Sequence, residues 1–215
     1  MRKIYQLKLI LLTIFLSLYV FAFSAPALGA QVTYRAHVAN LDWQNWVADG
    51  QVAGLPGSGN QMEAVEIKLS GFPSSYHIDY QAHVAYIGDQ DWVSDGQVAG
   101  TTGEGKAIEA IRIELRGFPS NYHVKYRVYI QNVGWQSWVE DGAQAGTTNE
   151  AKALEAVQIQ IYWDALPAPT ISSINPASVT KNQSVTFTLT GNGFQNGFTA
   201  KLINEHGLEF NPSST

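Results

Sequence analysis

The sequence predicts an all-β fold in which three copies of one unit form a pseudo-threefold domain. Equivalent residues recur every 46 positions without insertion or deletion, as Tyr34, Tyr80 and Tyr126 show. Short segments of period-two hydrophobicity alternate with Asp-Gly and glycine-rich turns, and no segment after the first thirty residues has a helical period. One such unit cannot bury its own apolar face, so the copies must pack against one another.

The first thirty residues have the composition of a secretory signal peptide. Arg2, Lys3 and Lys8 precede an apolar run over residues 9–23, and small residues follow it up to Ala30. The apolar run is short for a membrane span, and no second run follows it. We therefore expect residues 1–30 to be removed, leaving a secreted or cell-surface-associated chain without a membrane span. An uncleaved N-terminal anchor is the alternative.

The composition restricts the classes of function. The chain has 13 Lys+Arg, 18 Asp+Glu and no cysteine. Without residues 1–30, 10 Lys+Arg remain against 18 Asp+Glu, a net charge near −8. Such an acidic chain is a poor candidate for binding nucleic acid or anionic lipid. The absence of cysteine excludes thiolate metal sites, thiol nucleophiles and disulfide bonds.

Each unit is expected to begin with an amphipathic strand. Residues 76–84 alternate apolar and polar side chains, and residues 122–130 repeat the pattern in the third copy. A tryptophan-containing strand follows, and Asp95-Gly96 marks its hairpin turn in the second copy.

A glycine-rich loop, residues 99–105 in the second copy, leads into the last strand of the unit. In that strand, Glu109 shares one face with the apolar residues of 111–115. A Gly-Phe-Pro turn at residues 117–119 ends the unit.

The repeats are predicted to occupy residues 31–163, in units of about 32–77, 78–123 and 124–163. We expect them to close into a β-prism-like or β-trefoil-like body, because closure removes the exposed edges of the sheets. An open stack of three β units is the alternative.

A proline-rich linker at residues 164–169 is expected to separate the repeats from the segment 170–215. This segment begins with Ile-x-x-Ile-x-Pro at 171–176 and contains Gly-x-Gly-Phe at 191–194. It resembles the opening half of an IPT/TIG immunoglobulin-like domain. The resemblance implies an incomplete immunoglobulin-like β segment.

The repeat has a motif of its own. In the second copy, Tyr80-x-x-His83-Val84 is followed by Trp92-Val93, by Ala-Gly-Thr-Thr-Gly at 99–103 and by Glu-Ala-Ile-Arg-Ile-Glu-Leu at 109–115. Over residues 32–163 the chain resembles the clostridial hydrophobic W (ChW) repeat. The resemblance implies an exported or surface-attached bacterial protein with an adhesive or glycan-related role, and it supplies no catalytic residue. Asp89 in place of a first tryptophan and Leu55-Pro56 in place of Thr-Thr depart from the pattern.

One tryptophan occurs in every unit. Because large aromatic side chains dominate burial and these never vary between copies, we expect Trp46, Trp92 and Trp138 to lie in the structural core. A binding role for them is the alternative.

A second tryptophan precedes it by three residues in two units. Trp43 and Trp135 should therefore point to the opposite face of the strand, and their counterpart Asp89 argues that this position is exposed. The candidate ligand-binding residues are these two tryptophans and Asp89, together with the amides of Gln44 and Gln136, since an indole stacks on a sugar ring and amides bond its hydroxyls. A peripheral tryptophan that closes a hairpin is the alternative.

The repeated carboxylates Glu63, Glu109 and Glu155 share the inward face of their strands. We expect them to accept hydrogen bonds from the glycine-rich loop and to belong to the structural core. An acid or base role would need two facing carboxylates in a cleft, and none of these glutamates has an obvious partner.

The histidines do not form a metal-ligand pattern. His37 and His83 fall on the polar face, one per unit, so they are expected to be hydrogen-bonding surface residues rather than metal ligands. The Asp-Gly pairs lack the further acidic residues of a calcium site. The sequence therefore predicts no metal and no cofactor.

The function predicted from the sequence is non-catalytic binding of extracellular or cell-wall polysaccharide through weak sites that act together. A structural spacer, or an adhesion module that binds a surface protein and presents a C-terminal domain, is the alternative. An enzyme would require the three repeated glutamates to converge.

Overall fold

A computed structural model describes the repeat region and parts of the C-terminal segment. The described residues are 29–165, 170–175, 188–192, 202–203 and 209–210. All regular structure in these ranges is β-strand, as the sequence predicted. Among these residues there is no helix long and apolar enough to cross a membrane. Residues 1–28 of the predicted signal peptide lie outside the described residues, as does much of 170–215.

Each unit of the repeat region contributes two long strands and three short ones. Unit 1 contains β1 (Gln31–Val38), β2 (Asp42–Trp43), β3 (Val47–Ala48), β4 (Ala53–Gly54) and β5 (Met62–Ser70). Unit 2 contains β6 (His77–Val84), β7 (Gly88–Asp89), β8 (Val93–Ser94), β9 (Val98–Gly100) and β10 (Ile108–Arg116). Unit 3 contains β11 (Tyr122–Ile130), β12 (Gly134–Trp135), β13 (Val139–Glu140), β14 (Ala145–Gly146) and β15 (Leu154–Trp163).

Within its described residues, the C-terminal segment contains two antiparallel strand pairs. One pair joins β16 (Thr170–Asn175) to β17 (Thr188–Asn192), and the other joins β18 (Leu202–Ile203) to β19 (Glu209–Phe210).

The three units are joined by exchange of short strands. The short strand β9 of unit 2 pairs with β5 of unit 1, and β14 of unit 3 pairs with β10 of unit 2. The short strand β4 of unit 1 pairs with β15 of unit 3. Because this last pairing connects the third unit to the first, the repeats close into a ring and do not form an open stack. The three five-stranded sheets are separate, which corresponds to the β-prism-like form of the prediction.

A buried tyrosine hydroxyl connects each pair of neighbouring units. Tyr34, Tyr80 and Tyr126 are fully buried, and each hydroxyl donates to a backbone carbonyl of its own unit: Gln51, Gln97 and Ala143. Each hydroxyl also accepts from a backbone amide of the unit before it in the ring: Ile159 at 3.0 Å, Ile67 at 3.1 Å and Ile113 at 3.0 Å. Burial raises the pKa of all three tyrosines to about 12.

The exchanged strands require glycine. Gly100 at the end of β9 has a φ of +107°, and a Cβ there would lie 2.2 Å from the carbonyl oxygen of Glu63. The next amide, of Thr101, donates to that same oxygen at 2.8 Å. A side chain at this position would therefore force β9 away from β5, and Gly54 and Gly146 have the same surroundings at the other two junctions.

The predicted tryptophan-containing strand is interrupted. In unit 1, Trp43 is opposite His37 on β1 and Val47 is opposite Tyr34, so residues 44–46 lie outside the ladder. This interruption changes the direction in which the tryptophans point, because side chains alternate between faces only along a continuous strand.

Candidate functional site

The outer face of the unit 1 sheet carries two tryptophans that share one cation. The guanidinium carbon of Arg35 lies 4.6 Å from the ring centroid of Trp43 and 4.8 Å from that of Trp46. Arg35 Nε donates to Glu66 Oε2 at 2.6 Å, which fixes the guanidinium in place. We call Trp43, Arg35 and Trp46 the first clamp.

Unit 3 repeats this arrangement. The guanidinium carbon of Arg127 lies 4.8 Å from the centroid of Trp135 and 4.9 Å from that of Trp138. Arg127 Nε donates to Gln158 Oε1 at 2.7 Å. We call Trp135, Arg127 and Trp138 the second clamp. Since glutamine replaces the glutamate of unit 1, the guanidinium of this clamp is held without a carboxylate.

Unit 2 replaces the clamp with a polar network. Gln81 stands where the other units have arginine, and Asp89 stands where they have the first tryptophan. Asp89 Oδ1 lies 2.7 Å from His83 Nδ1, and Asp89 Oδ2 lies 3.5 Å from Arg112 Nη1. The hydrogen bond with His83 and the charge of Arg112 hold the pKa of Asp89 below its usual value. Arg112 also bonds Gln81 Oε1, at 3.1 Å.

The exchanged strand extends the difference between the units. In β9, Val98 pairs in register with Glu66 beside the first clamp and is 43% exposed. Val52, the counterpart of Val98, precedes β4 beside β15 of unit 3 and is 38% exposed. At the equivalent position beside unit 2, Gln144 accepts from Arg112 Nη2 at 2.8 Å. Two outer faces thus combine a pair of indoles and an exposed valine with a guanidinium, whereas the third has a single tryptophan, Trp92, beside a polar network.

The expectation that the invariant tryptophans form the core is wrong. Trp46, Trp92 and Trp138 are 37%, 42% and 37% exposed. The valine that follows each tryptophan takes the inward position and packs against the core: Val47, Val93 and Val139. On the outer side, cations contact two of them, with Lys68 Nζ 3.9 Å from the Trp46 centroid and Lys125 Nζ 5.4 Å from that of Trp138.

The expectation that the two tryptophans of a unit lie on opposite faces is also wrong. Trp43 and Trp135 are half-buried and stack on the same guanidinium as their partners, because the strand is interrupted between the two indoles.

The two candidate glutamines bond the backbone of the chain. Gln136 Oε1 accepts from the Gly146 amide at 2.7 Å, and Gln44 Nε2 donates to the Asp42 carbonyl at 3.2 Å. The equivalent Gln90 of unit 2 accepts from Gly100 in the same way as Gln136, at 2.7 Å. The hydrogen bond of Gln136 to Gly146 therefore stabilises the fold. The polar group that lies between the two indoles is the arginine.

The repeated glutamates are buried where neighbouring units meet. Glu155 accepts from the amides of Gly57 at 2.6 Å and Gly59 at 3.1 Å, and Glu63 accepts from Gly103 at 3.0 Å. The loop that donates belongs to the next unit of the ring rather than to the glutamate's own unit. Glu109 is also buried, and its Oε2 lies 3.9 Å from His83 Nε2.

The two histidines differ in burial. His37 is buried rather than at the surface, since its ring packs edge-on against Trp43 with 5.4 Å between centroids. His83 is half-buried beside Asp89. In the part of the chain that the structure describes, no three His, Asp or Glu residues form a group that could hold a metal ion.

The sequence patterns considered above do not indicate Arg35 and Arg127. A comparison of the three copies would indicate them. Arginine, glutamine and arginine occur at this position, and tryptophan, aspartate and tryptophan occur at the first-tryptophan position. The two positions change together.

The fold and these faces define a closed, three-unit, all-β repeat domain. Three segments of it, residues 37–71, 83–117 and 129–162, match the family model described as Clostridial hydrophobic W (ChW). The chain therefore carries three ChW repeats, as its motifs indicated. No match covers residues 170–215, so the resemblance to an IPT/TIG domain has no support from this comparison. Comparisons with curated proteins and with solved structures find no match.

Proposed function

We propose that the protein is a non-catalytic binder of extracellular or cell-wall polysaccharide, and that the two clamps are its binding surfaces. The observation that carries this proposal is the repeated pair of partly exposed indoles around one guanidinium. Trp46 and Trp138 are both 37% exposed although each unit has a fully buried core beneath them.

The chemistry of a clamp suits a sugar ring. The exposed part of each indole provides apolar surface for the C–H groups of a pyranose, and a guanidinium offers several N–H donors to its hydroxyls. Arg35 is held by Glu66 and by both indoles, so its donors and the aromatic surfaces are ordered before the ligand arrives. Such preorganisation reduces the entropy lost on binding.

Unit 2 supports this proposal because it serves as an internal comparison. Its five strands follow the same order as those of units 1 and 3, although Asp89 and Gln81 replace the clamp residues. Unit 2 keeps Trp92, so its fold shows that the arginine and the first tryptophan of a clamp are not needed for folding. A first tryptophan that is dispensable for folding and only half-buried is better explained by binding than by packing.

Two clamps on one closed ring favour a polymeric ligand. Each clamp offers a small surface, so each site by itself should bind weakly. Because the ring fixes both clamps in one body, a polysaccharide chain that reaches both gains strength through effective concentration.

The location of the protein outside the cell is part of this proposal. Export follows from the basic and apolar segments within residues 1–30, and a wall polymer is a ligand that an exported chain would meet. The Ile-x-x-Ile-x-Pro and Gly-x-Gly-Phe motifs of residues 170–215 remain the basis for proposing an immunoglobulin-like segment after the repeats.

A protein-adhesion module is the second candidate, and one observation favours it. The turn after the first strand of every unit exposes an apolar side chain: Leu41 at 48%, Ile87 at 48% and Val133 at 60%. Three apolar turn tips on one ring would suit a protein partner rather than a sugar.

Tryptophan fluorescence distinguishes these candidates. In a Trp92→Phe/Trp163→Phe variant, the four remaining tryptophans are those of the clamps. Titration with soluble wall or plant polysaccharide should shift or quench their emission in a saturable manner. Emission that stays unchanged with every polysaccharide, while a surface protein still binds, would favour the adhesion module.

A further inference from the structure

The structure contains a second surface with the properties of a binding site, at the junction between units 1 and 2. A hollow of about 480 Å³ opens there between the glycine-rich loops of the two units. We infer that this junction cavity binds a single sugar residue or a small polyol through hydrogen bonds. The inference does not depend on the clamps.

The equivalent space at the junction between units 3 and 1 is filled by side chains of unit 3. There, Gln131 Nε2 donates to the Gly59 carbonyl at 2.8 Å and so connects unit 3 to the loop of unit 1. A Cβ on Gly57 would lie only 3.4 Å from the Tyr129 hydroxyl, so this side chain also fills the space.

In the junction cavity both of these side chains are smaller. Ala39 stands where unit 3 has Gln131, and His37 stands where it has Tyr129. Both line the cavity, as do Gly103 and Gly105, the counterparts of Gly57 and Gly59. The space that unit 3 fills with its own side chains is therefore open here.

The carboxylate in the cavity has unused capacity to accept hydrogen bonds. Glu155, at the filled junction, accepts from two backbone amides at 2.6 and 3.1 Å. Glu63 accepts from one backbone amide, of Gly103 at 3.0 Å, and its Oε1 has a long contact of 3.5 Å from Gln61 Nε2. A buried carboxylate with one firm donor favours a ligand that supplies hydroxyl groups.

His37 supplies a second polar group without a full set of partners. Its Nδ1 is buried and has no hydrogen-bond partner among the described residues. Nδ1 lies 3.3 Å from Glu63 Oε2, but the angle of approach is not that of a hydrogen bond. A small rotation of either side chain toward a ligand hydroxyl would satisfy both groups.

Two further lining residues are particular to unit 1. Asn60 and Gln61 stand where the other units have Lys106 and Lys152, and Ala107 and Ala153. Both lysines pair with a glutamate of their own loop, at 2.7 and 2.6 Å. The unit 1 loop has uncharged amides instead, which donate to and accept from hydroxyls. With the anionic Glu63 beside them, these amides favour an uncharged or cationic ligand over an anionic one.

The test uses amide chemical shifts of the full chain labelled with ¹⁵N. Glucose, N-acetylglucosamine and glycerol are the uncharged probes, glucosamine is the cationic probe, and glucuronate is the anionic probe. Saturable shifts at the amides of Gly103 and Gly105 are expected with at least one uncharged sugar, and weaker ones with glucuronate.

The variant Ala39→Gln reproduces the side chain that fills the other junction, and Ala85→Gln is its matched control in unit 2. The shifts should disappear in the first variant and persist in the second. Gln61→Ala, which installs the residue of units 2 and 3, should weaken binding roughly fivefold, the size expected for one hydrogen bond. The inference is overturned if no probe shifts these amides, or if both Ala39→Gln and Gln61→Ala bind as the parent does.

Discussion

The hydroxyl of Tyr34 accepts a hydrogen bond from the backbone amide of Ile159 at 3.0 Å, although 125 residues separate them. This bond joins the first strand of unit 1 to the last strand of unit 3. With the pairing of β4 and β15, it closes the ring. Closure makes the position of one clamp relative to the other a fixed property of the fold.

Removal of this hydroxyl should destabilise the domain. Tyr34→Phe leaves the buried amide of Ile159 and the carbonyl of Gln51 without their partner, so unfolding should become easier by about 1–3 kcal/mol. Urea denaturation of the repeat region measures the loss. Tyr86→Phe is the control, since Tyr86 is 98% exposed and should change stability by less than about 0.5 kcal/mol. Equal stability of the two variants would contradict the bridging role.

The buried tyrosines predict a loss of stability at alkaline pH. Their pKa is about 12 in the folded protein, and the pKa of an unfolded tyrosine is about 10. The unfolded chain therefore loses these protons first, and stability that is complete below pH about 10 declines as the pH rises toward 12. Denaturation curves over this range should show the decline, with a shallower slope in Tyr34→Phe. A flat profile up to pH about 12 would contradict this explanation.

Gly100 provides a test of the strand exchange. Gly100→Ala places a Cβ against the carbonyl of Glu63, whereas Gly134→Ala, at a residue with the same φ of +107°, places it in open space. Both variants carry backbone strain of roughly 1–2 kcal/mol. Gly100→Ala should lose at least about 2 kcal/mol more, since backbone must move to relieve the contact. Thermal unfolding of the pair measures the difference, and equal losses would contradict a tight exchange.

Much of the fold follows from the repeat itself. The constant period identifies Tyr34, Tyr80 and Tyr126 as equivalent, and strand parity places Glu63 beside the apolar residues that prove to be buried. Period-two patterns are reliable in long strands such as β5, where every second residue meets the core. The same patterns contain no information about which unit receives a strand of two or three residues, so the exchange was not predicted.

The clamps could be predicted only in part. Three-residue spacing implies opposite faces on a continuous strand, but Gln44 to Trp46 lie outside the ladder and both indoles turn to one side. The guanidinium between them belongs to β1, eight residues before Trp43. Its contact with both rings is a property of the sheet, where neighbours in space are distant in sequence.

The cation of a clamp should matter for binding more than for folding. Arg127→Gln installs the residue of unit 2 and removes the group that holds Trp135 and Trp138. Without the guanidinium its N–H donors to the sugar hydroxyls are lost, so binding to polysaccharide should weaken roughly two- to tenfold. The two cation–π contacts are exposed and contribute little to folding, so the melting temperature should fall by at most a few degrees. Isothermal titration calorimetry and thermal unfolding measure the two quantities, and unchanged affinity would contradict the role of the guanidinium.

Units 1 and 3 should bind polysaccharide through their clamps, and unit 2 should not. The most direct measurement is retention of the Trp43→Ala/Trp135→Ala variant on insoluble wall or plant polysaccharide. Trp92→Ala is the matched control, since Trp92 is 42% exposed and lies in the unit without a clamp. The double variant should pass through unretained with its fold intact, while the control is retained like the parent. Retention of the double variant equal to that of the parent would contradict binding through the clamps.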